Sequence, residues 1–189
     1  MDIIIWVLIA VVVVILLYIG LTYNSFINLR NGIESTLNQI NVALKKRLDM
    51  IAEIVDATKG IMKFEKGTLV DITKLRGQAG GSLNPTQLAK LATATNKLAG
   101  SIAIQVEAYP KLRSNDNVQQ LVTAVQDAEQ EIAQLRYTYN NIVQQFNTMR
   151  ERVPSNIIAG LFGFAKTTYL QMKESAEELQ KRADTKLDI

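Results

Sequence analysis

Few residues in this chain have side chains that could do chemistry. The densest acidic cluster is Glu174, Glu177 and Glu178, with Lys173, Lys181 and Arg182 beside it. Carboxylates at helical spacing can hold a metal ion or act as acid and base. Cations three or four residues away instead make ion pairs with them on a solvated helix face. Gly77, Gly80 and Gly81 resemble a phosphate cradle, but the Lys-Ser/Thr that completes a P-loop does not follow. A loop between helices accounts for these glycines. Lys45, Lys46 and Arg47 form a basic triplet. The chain has no histidine and no cysteine. The commonest general base, the thiol nucleophile and the usual transition-metal ligands are therefore missing. A di-iron bundle needs Glu-x-x-His on facing helices, which this composition excludes. No Walker motif, dinucleotide fingerprint or nucleophile elbow occurs. The expectation is no catalytic set, no metal site and no cofactor.

The element that positions everything else is at the N-terminus. Ile3 to Leu29 carries no charged side chain, and Ile3 to Ile19 is an almost unbroken apolar run. A helix needs about 20 apolar residues to cross a bilayer core. Residues 3–23 supply that length. A lone strand would leave its amides unpaired in lipid, so the run is predicted to be a transmembrane helix. Ile3, Leu8, Val12, Ile15 and Ile19 form its apolar body. Trp6 near one end, with Tyr18 and Tyr23 near the other, fits aromatic anchoring at the interfaces. A cleaved signal peptide would want a basic start, a shorter core and an A-x-A site; here only Asp2 precedes the run.

Charge asymmetry predicts the orientation. No Lys or Arg precedes the run, and Arg30, Lys45, Lys46 and Arg47 follow it. The positive-inside rule places residues 1–2 outside and the rest in the cytoplasm of a cell with an inner membrane. Arg30 is the candidate for head-group contact. If the first helix is straight, the basic triplet stands about 35 Å beyond the span, which suits a solvated face or a partner better than lipid. Of the 18 acidic residues only Asp2 precedes residue 30, so the remainder sets 21 Lys+Arg against 17 Asp+Glu. That excess is spread along the chain, so it leaves no nucleic-acid footprint. It mildly favours an anionic membrane surface.

Prolines fall at Pro85, Pro110 and Pro154, and they cut the remainder into long helical blocks. The first runs from about Asn28 to Arg76. Ile33, Leu37, Ile40, Leu44, Ile51, Ile54, Thr58 and Ile61 share one helix face. Gly60 and Gly67 weaken its far end. A nearly continuous helix from the apolar run is expected, with 24–32 as the place for a bend, and 77–82 reads as a loop. The second block opens on Asn84 as N-cap and Pro85 at the first helical position. Leu88, Leu91, Thr95, Leu98, Ile102 and Val106 form its face, and it ends near Tyr109–Pro110. In the third block Val118, Leu121, Val125, Ala128, Ile132, Leu135, Tyr139, Ile142, Phe146, Met149 and Val153 alternate by three and four. Such a seam demands partner helices along its length. The charged tail, 166–189, is read as a marginal fourth helix with a frayed end. The fold class expected is all-α: an N-terminal transmembrane helix (3–23), then an elongated antiparallel bundle of three to four long helices (24–165), then the tail.

Pro154, Ser155, Asn156, Ile157, Gly160, Leu161, Phe162, Gly163 and Phe164 belong to a short apolar, non-periodic segment. It admits two roles. It could cap the bundle, or it could be an exposed patch that docks a partner or dips into a membrane. With three helices running out, back and out, it would finish at the end far from the membrane, within reach of a neighbour and out of reach of its own bilayer.

The order of an apolar N-terminal run, LNQINVALKKRLDMI, EKGTLVDITKLR, AYPKLRSNDN, EIAQLRYTYNNIVQQFN and PSNIIAGLFGF resembles the LemA family over residues 1–165. AYP-x-L-x-x-N and PSN-x-x-AGLFGF are the most specific parts. The resemblance implies a membrane-anchored helical bundle with a small outer N-terminus and a cytoplasmic body. The family supplies no firm activity; members tied to magnetosome formation are linked to membrane remodelling. Family members commonly carry His and Pro in the stretch matching Leu48 to Glu53 and another His near Phe64. This chain has Leu48, Ala52 and Phe64 there, so no role resting on those histidines operates in it. The function expected is that of a non-enzymatic, single-pass scaffold that self-associates and binds proteins or membrane, in membrane organisation or remodelling. Its contacts would be carried by the seam of the third block and by 154–164. The alternative is a tethered adaptor or regulator of another membrane protein, such as a protease or a signalling protein. The partners expected are the lipid bilayer, further copies of the chain and other membrane proteins, with no nucleic acid.

Overall fold

The computed structural model describes residues 2–61, 64, 66–81 and 83–171. It is all-α, with no strand among the described residues. The helices are α1 Asp2–Thr58, α2 Lys66–Ala79, α3 Pro85–Glu107, α4 Pro110–Arg113, α5 Asp116–Glu151 and α6 Ser155–Leu161. The chain divides into two compact units. Unit 1 comprises Met1–Asn38 and Leu135–Tyr169; unit 2 comprises Gln39–Gln134 and Leu170–Ile189.

No proline interrupts α1, and it runs helical through 24–32, where a bend was expected. Its first residues are long and apolar enough together to cross a membrane, and none of that window is buried within the protein. Beyond Tyr23 the same helix becomes one-sided and buries Phe26, Ile33, Ile40, Leu44, Leu48, Ile51 and Ile54. It ends earlier than expected. The Thr58 hydroxyl donates to the Ile54 carbonyl at 2.7 Å, and the Ile61 amide closes a turn on the Thr58 carbonyl at 2.9 Å. Gly60 is the cheapest place to leave the helix, since glycine costs about 1 kcal/mol relative to alanine inside one. The single block expected over 28–76 is thus two helices. Ile61, assigned to the buried face, sits in the turn and is exposed. Gly77, Gln78 and Ala79, expected in a loop, lie inside α2.

In unit 2 the Arg76 guanidinium meets the Asp49 carboxylate at 2.8 Å, and the Asn41 side chain donates to the Gly81 carbonyl at 3.0 Å. These contacts run α2 back along α1. Asn84 then starts α3 as expected. Its side chain accepts from the Gln87 amide at 2.9 Å, and the Gln87 side chain accepts from the Asn84 amide at 3.0 Å. This reciprocal capping box, with Pro85 at the first position, sets the direction of α3. Leu88, Leu91, Thr95, Leu98, Ile102 and Val106 are all buried. The one-turn α4, absent from the sequence reading, buries Leu112 completely. Asn115 then caps α5, its side chain accepting from the Asn117 and Val118 amides at 3.1 and 3.3 Å.

The α5 seam is buried within this chain at Val118, Val125, Ala128, Ile132, Tyr139 and Phe146. Val153 departs from the expected seam. It lies past the helix end and is exposed. In unit 1, α5 runs against α1: Phe26 faces Phe146, and Gly32 lies against Ile142. The first residues of the expected fourth helix, through Gln171, are not helical. Residues 172–189, including Glu174, Glu177, Glu178, Ala176, Leu179 and Ala183, lie outside the described residues.

Candidate functional site

The residues singled out at 154–164 and those at the end of the apolar run converge in unit 1. α5 stops at Glu151, and a cis Val153–Pro154 bond follows. The Ser155 hydroxyl sits at the carbonyls of Met149 and Arg152, tying the new helix to the old. α6 then lasts under two turns. Its end is a Schellman motif: the Phe164 amide donates to the Ala159 carbonyl at 2.9 Å, and the Gly163 amide donates to the Gly160 carbonyl at 3.4 Å. Gly163 has φ 71°, the left-handed conformation this motif requires and glycine tolerates.

That turn throws Phe164 inward. Its ring stacks on Phe26 at a centroid distance of 4.6 Å, and meets Phe146 edge-on at 6.2 Å and Tyr23 at 5.8 Å. Phe162 lies against Tyr23 at 4.8 Å. Sequence reasoning placed this segment at the far end from the apolar run, and these ring contacts overturn that. The cause is one more chain reversal than the prolines mark. The turn after Thr58 makes two helices of the expected first block, so α5 returns toward the start of α1.

The segment divides by face. Ser155, Ile158, Ala159 and Phe164 are buried; Pro154, Asn156, Ile157, Gly160, Leu161, Phe162 and Gly163 are exposed. It therefore caps the unit with one face and presents an apolar surface with the other. Ile3, Trp6, Leu8, Val12, Ile15, Tyr18 and Tyr23 are exposed on α1, and Ile19 is half-buried. Arg30 is exposed as well, beyond the aromatic cluster on α1.

Past Phe164 the chain runs back along α5, held by side chains that carry no signal of such a role in the sequence, Tyr139 being expected there only as an apolar seam residue. The Arg150 Nε donates to the Phe164 carbonyl at 2.9 Å. Asn147 donates to the Thr167 carbonyl at 2.9 Å and accepts from the Thr167 amide at 3.0 Å. The Tyr139 hydroxyl donates to the Thr168 carbonyl at 3.1 Å, and burial raises its pKa. Lys166 pairs with Glu151 at 2.9 Å. The Lys166 hydrogen bond, then its charge, holds the Glu151 carboxyl below its ordinary pKa.

Unit 2 holds a different polar feature. Arg47, expected on a solvated face with Lys45 and Lys46, is almost wholly buried. It donates through Nη1 to the Asn96 side chain and through Nη2 to Glu129 at 2.9 Å. Burial lowers its pKa, and Glu129 opposes that shift. A cavity of ≈ 200 Å³ beside it is lined mainly by aliphatic side chains. A wider cleft of ≈ 620 Å³ lies between α2 and α3, with Leu75, Leu91, Leu98, Lys74, Lys90 and Lys97 among its lining residues. No group of three or more metal-ligating side chains gathers among the described residues.

An all-α chain whose first helix carries a long, fully exposed apolar stretch is a membrane-associated helical protein. The chain belongs to the LemA family, whose profile matches residues 36–184. Protein LemA of Metamycoplasma hominis is 25% identical over 158 residues, covering 83% of this chain and 72% of that protein. Magnetosome proteins MamQ 2 and MamQ 1 of Paramagnetospirillum magneticum are each 30% identical over 78 residues, covering 41% of this chain and 29% of theirs.

Proposed function

We propose that this protein is a single-pass anchor and scaffold of the inner membrane. Residues 3–23 cross the bilayer, the N-terminus lies outside, and the helical body stands in the cytoplasm. It acts by binding further copies of itself and other membrane proteins, and by organising membrane, without catalysis or cofactor. One observation carries this reading. The apolar start of α1 is exposed all round, while the same unbroken helix goes on to build a packed core. A helix apolar on every side needs an apolar surrounding, and lipid supplies one. The similarity to magnetosome proteins supports a role in membrane organisation. Much of the α5 seam is buried within the chain, at Val118, Val125, Ala128, Ile132, Tyr139 and Phe146, so self-association draws mainly on other surfaces.

The cysteine-free sequence gives a clean background for testing topology. Asp2→Cys should react with an impermeant maleimide on intact cells, and Thr123→Cys only after permeabilisation. Release of the protein by alkaline carbonate, or labelling of Thr123→Cys on intact cells, would overturn the reading. Cross-linking and sizing in mild detergent should give an assembly of several copies. A monomer bound to one stoichiometric partner would replace the scaffold by a tethered adaptor.

A further inference from the structure

We propose that the exposed face of α6 lies in the head-group layer of the bilayer that α1 itself crosses. Val153, Ile157, Leu161 and Phe162 then sit at the acyl boundary. The proposal rests on the anchored reading above and adds a second contact with the same membrane.

Three observations carry it. The first is level. Residues 3–23 span about 31 Å as a helix, the thickness of a hydrocarbon core. Tyr23 therefore stands at an interface, and the Phe162 ring is 4.8 Å from it. The second is exposure. Ile157 is 68% exposed, Leu161 74% and Val153 72%, although the opposite face of α6 is packed. Ile157 and Leu161 are one helical turn apart and form a stripe. The third is charge. No charged side chain occurs from Val153 to Ala165; Arg150, Glu151, Arg152 and Lys166 flank the segment, and with Lys166 paired to Glu151 the border keeps the positive charges of Arg150 and Arg152. An apolar face whose border carries a net positive charge suits the boundary of an anionic bilayer. Gly160 meets nothing that would crowd the backbone as it approaches the head groups.

The single tryptophan, Trp6, permits a direct test. Full-length protein is reconstituted into phosphatidylethanolamine–phosphatidylglycerol vesicles with bromine on the lipid acyl chains. The wild type reports on Trp6. Leu161→Trp and Ile157→Trp, each in a Trp6→Phe background, report on α6, and Tyr137→Trp is the control. Tyr137 is exposed on α5, about 7.5 Å before Ile142 along the helix and so further from α6, and Ile142 lies against Gly32. Blue-shifted emission from positions 157 and 161 is expected, quenched most by bromines near the head group, with position 137 unquenched. If Trp6 is quenched and positions 157 and 161 are not, α6 does not touch the bilayer and the proposal fails. Blue-shifted but unquenched emission there shows a protein surface covering α6, which also overturns it. If Trp6 itself escapes quenching, the anchored reading falls first.

Discussion

The two units share α1 and α5 but hold them together by different means. In unit 2 the buried positions of the two helices are aliphatic and at heptad spacing, Leu44, Leu48 and Ile51 on α1 and Val125, Ala128 and Ile132 on α5, and the buried Arg47 of α1 bonds to Glu129 of α5. In unit 1 the pair is closed by an aromatic cluster and by a non-helical segment hydrogen-bonded to α5. The first solution repeats along the sequence. The second depends on a handful of residues, each used once. Unit 1 should therefore be the more brittle of the two, failing by single substitutions.

The strongest test of that contrast is Phe26→Ala. Phe26 is fully buried and touches both Phe146 and Phe164. Removing a buried phenylalanine costs about 4 kcal/mol. Hydrogen exchange in mild detergent should show lost amide protection in α5 from Leu135 onward, with unit 2 less affected. Equal loss in both units would mean that they open as one body and would erase the contrast.

Unit 2 has its own vulnerable point. Glu129→Ala leaves the Arg47 guanidinium buried with Asn96 as its remaining partner. Breaking a buried pair costs about 3 kcal/mol, and the half-exposed Glu129 reduces that to about 2. Adding Arg47→Met should recover stability, because an apolar side chain suits this site better than an unpaired charge. Chemical denaturation of the single and double variants decides it. A double variant weaker than Glu129→Ala would show that the guanidinium contributes through its packing or its bond to Asn96.

The same contrast explains what was legible in the sequence. The α5 seam, the buried face of α3 and the Asn84–Pro85 start were readable because period and capping are local physics. Arg47 was not, because a cation inside a basic triplet resembles a solvated face until Glu129 arrives from 82 residues away. The placement of 154–164 depended on counting reversals. Gly60 is a weak breaker, and a periodic face reads alike on both sides of a turn. One missed turn sent α6 to the wrong end. Asn147, Arg150 and the Tyr139 hydroxyl bind a segment with no periodicity, so no pattern announced them.

Asn147→Ala probes that segment alone. Its amide satisfies both backbone groups of Thr167. Loss of the pair should cost about 1 kcal/mol and speed proteolysis between Phe164 and Leu170, while α5 stays protected. An unchanged cleavage rate would mean that Arg150 and Tyr139 suffice to hold the segment.

The smallest effect expected is electrostatic, and its sign is fixed. Lys166 holds the Glu151 pKa below its unfolded value, chiefly through a hydrogen bond. A carboxyl with a depressed folded pKa adds stability above its unfolded pKa, about 4.3 for glutamate, and loses it as pH falls through the folded value. Both side chains are more than half exposed, so water and salt screen the pair. The wild type should therefore exceed Lys166→Ala slightly at neutral pH and low salt, and the two should converge as Glu151 protonates below pH of about 4. A gap that persists in acid would assign the contribution of Lys166 to its aliphatic stem packing on unit 1.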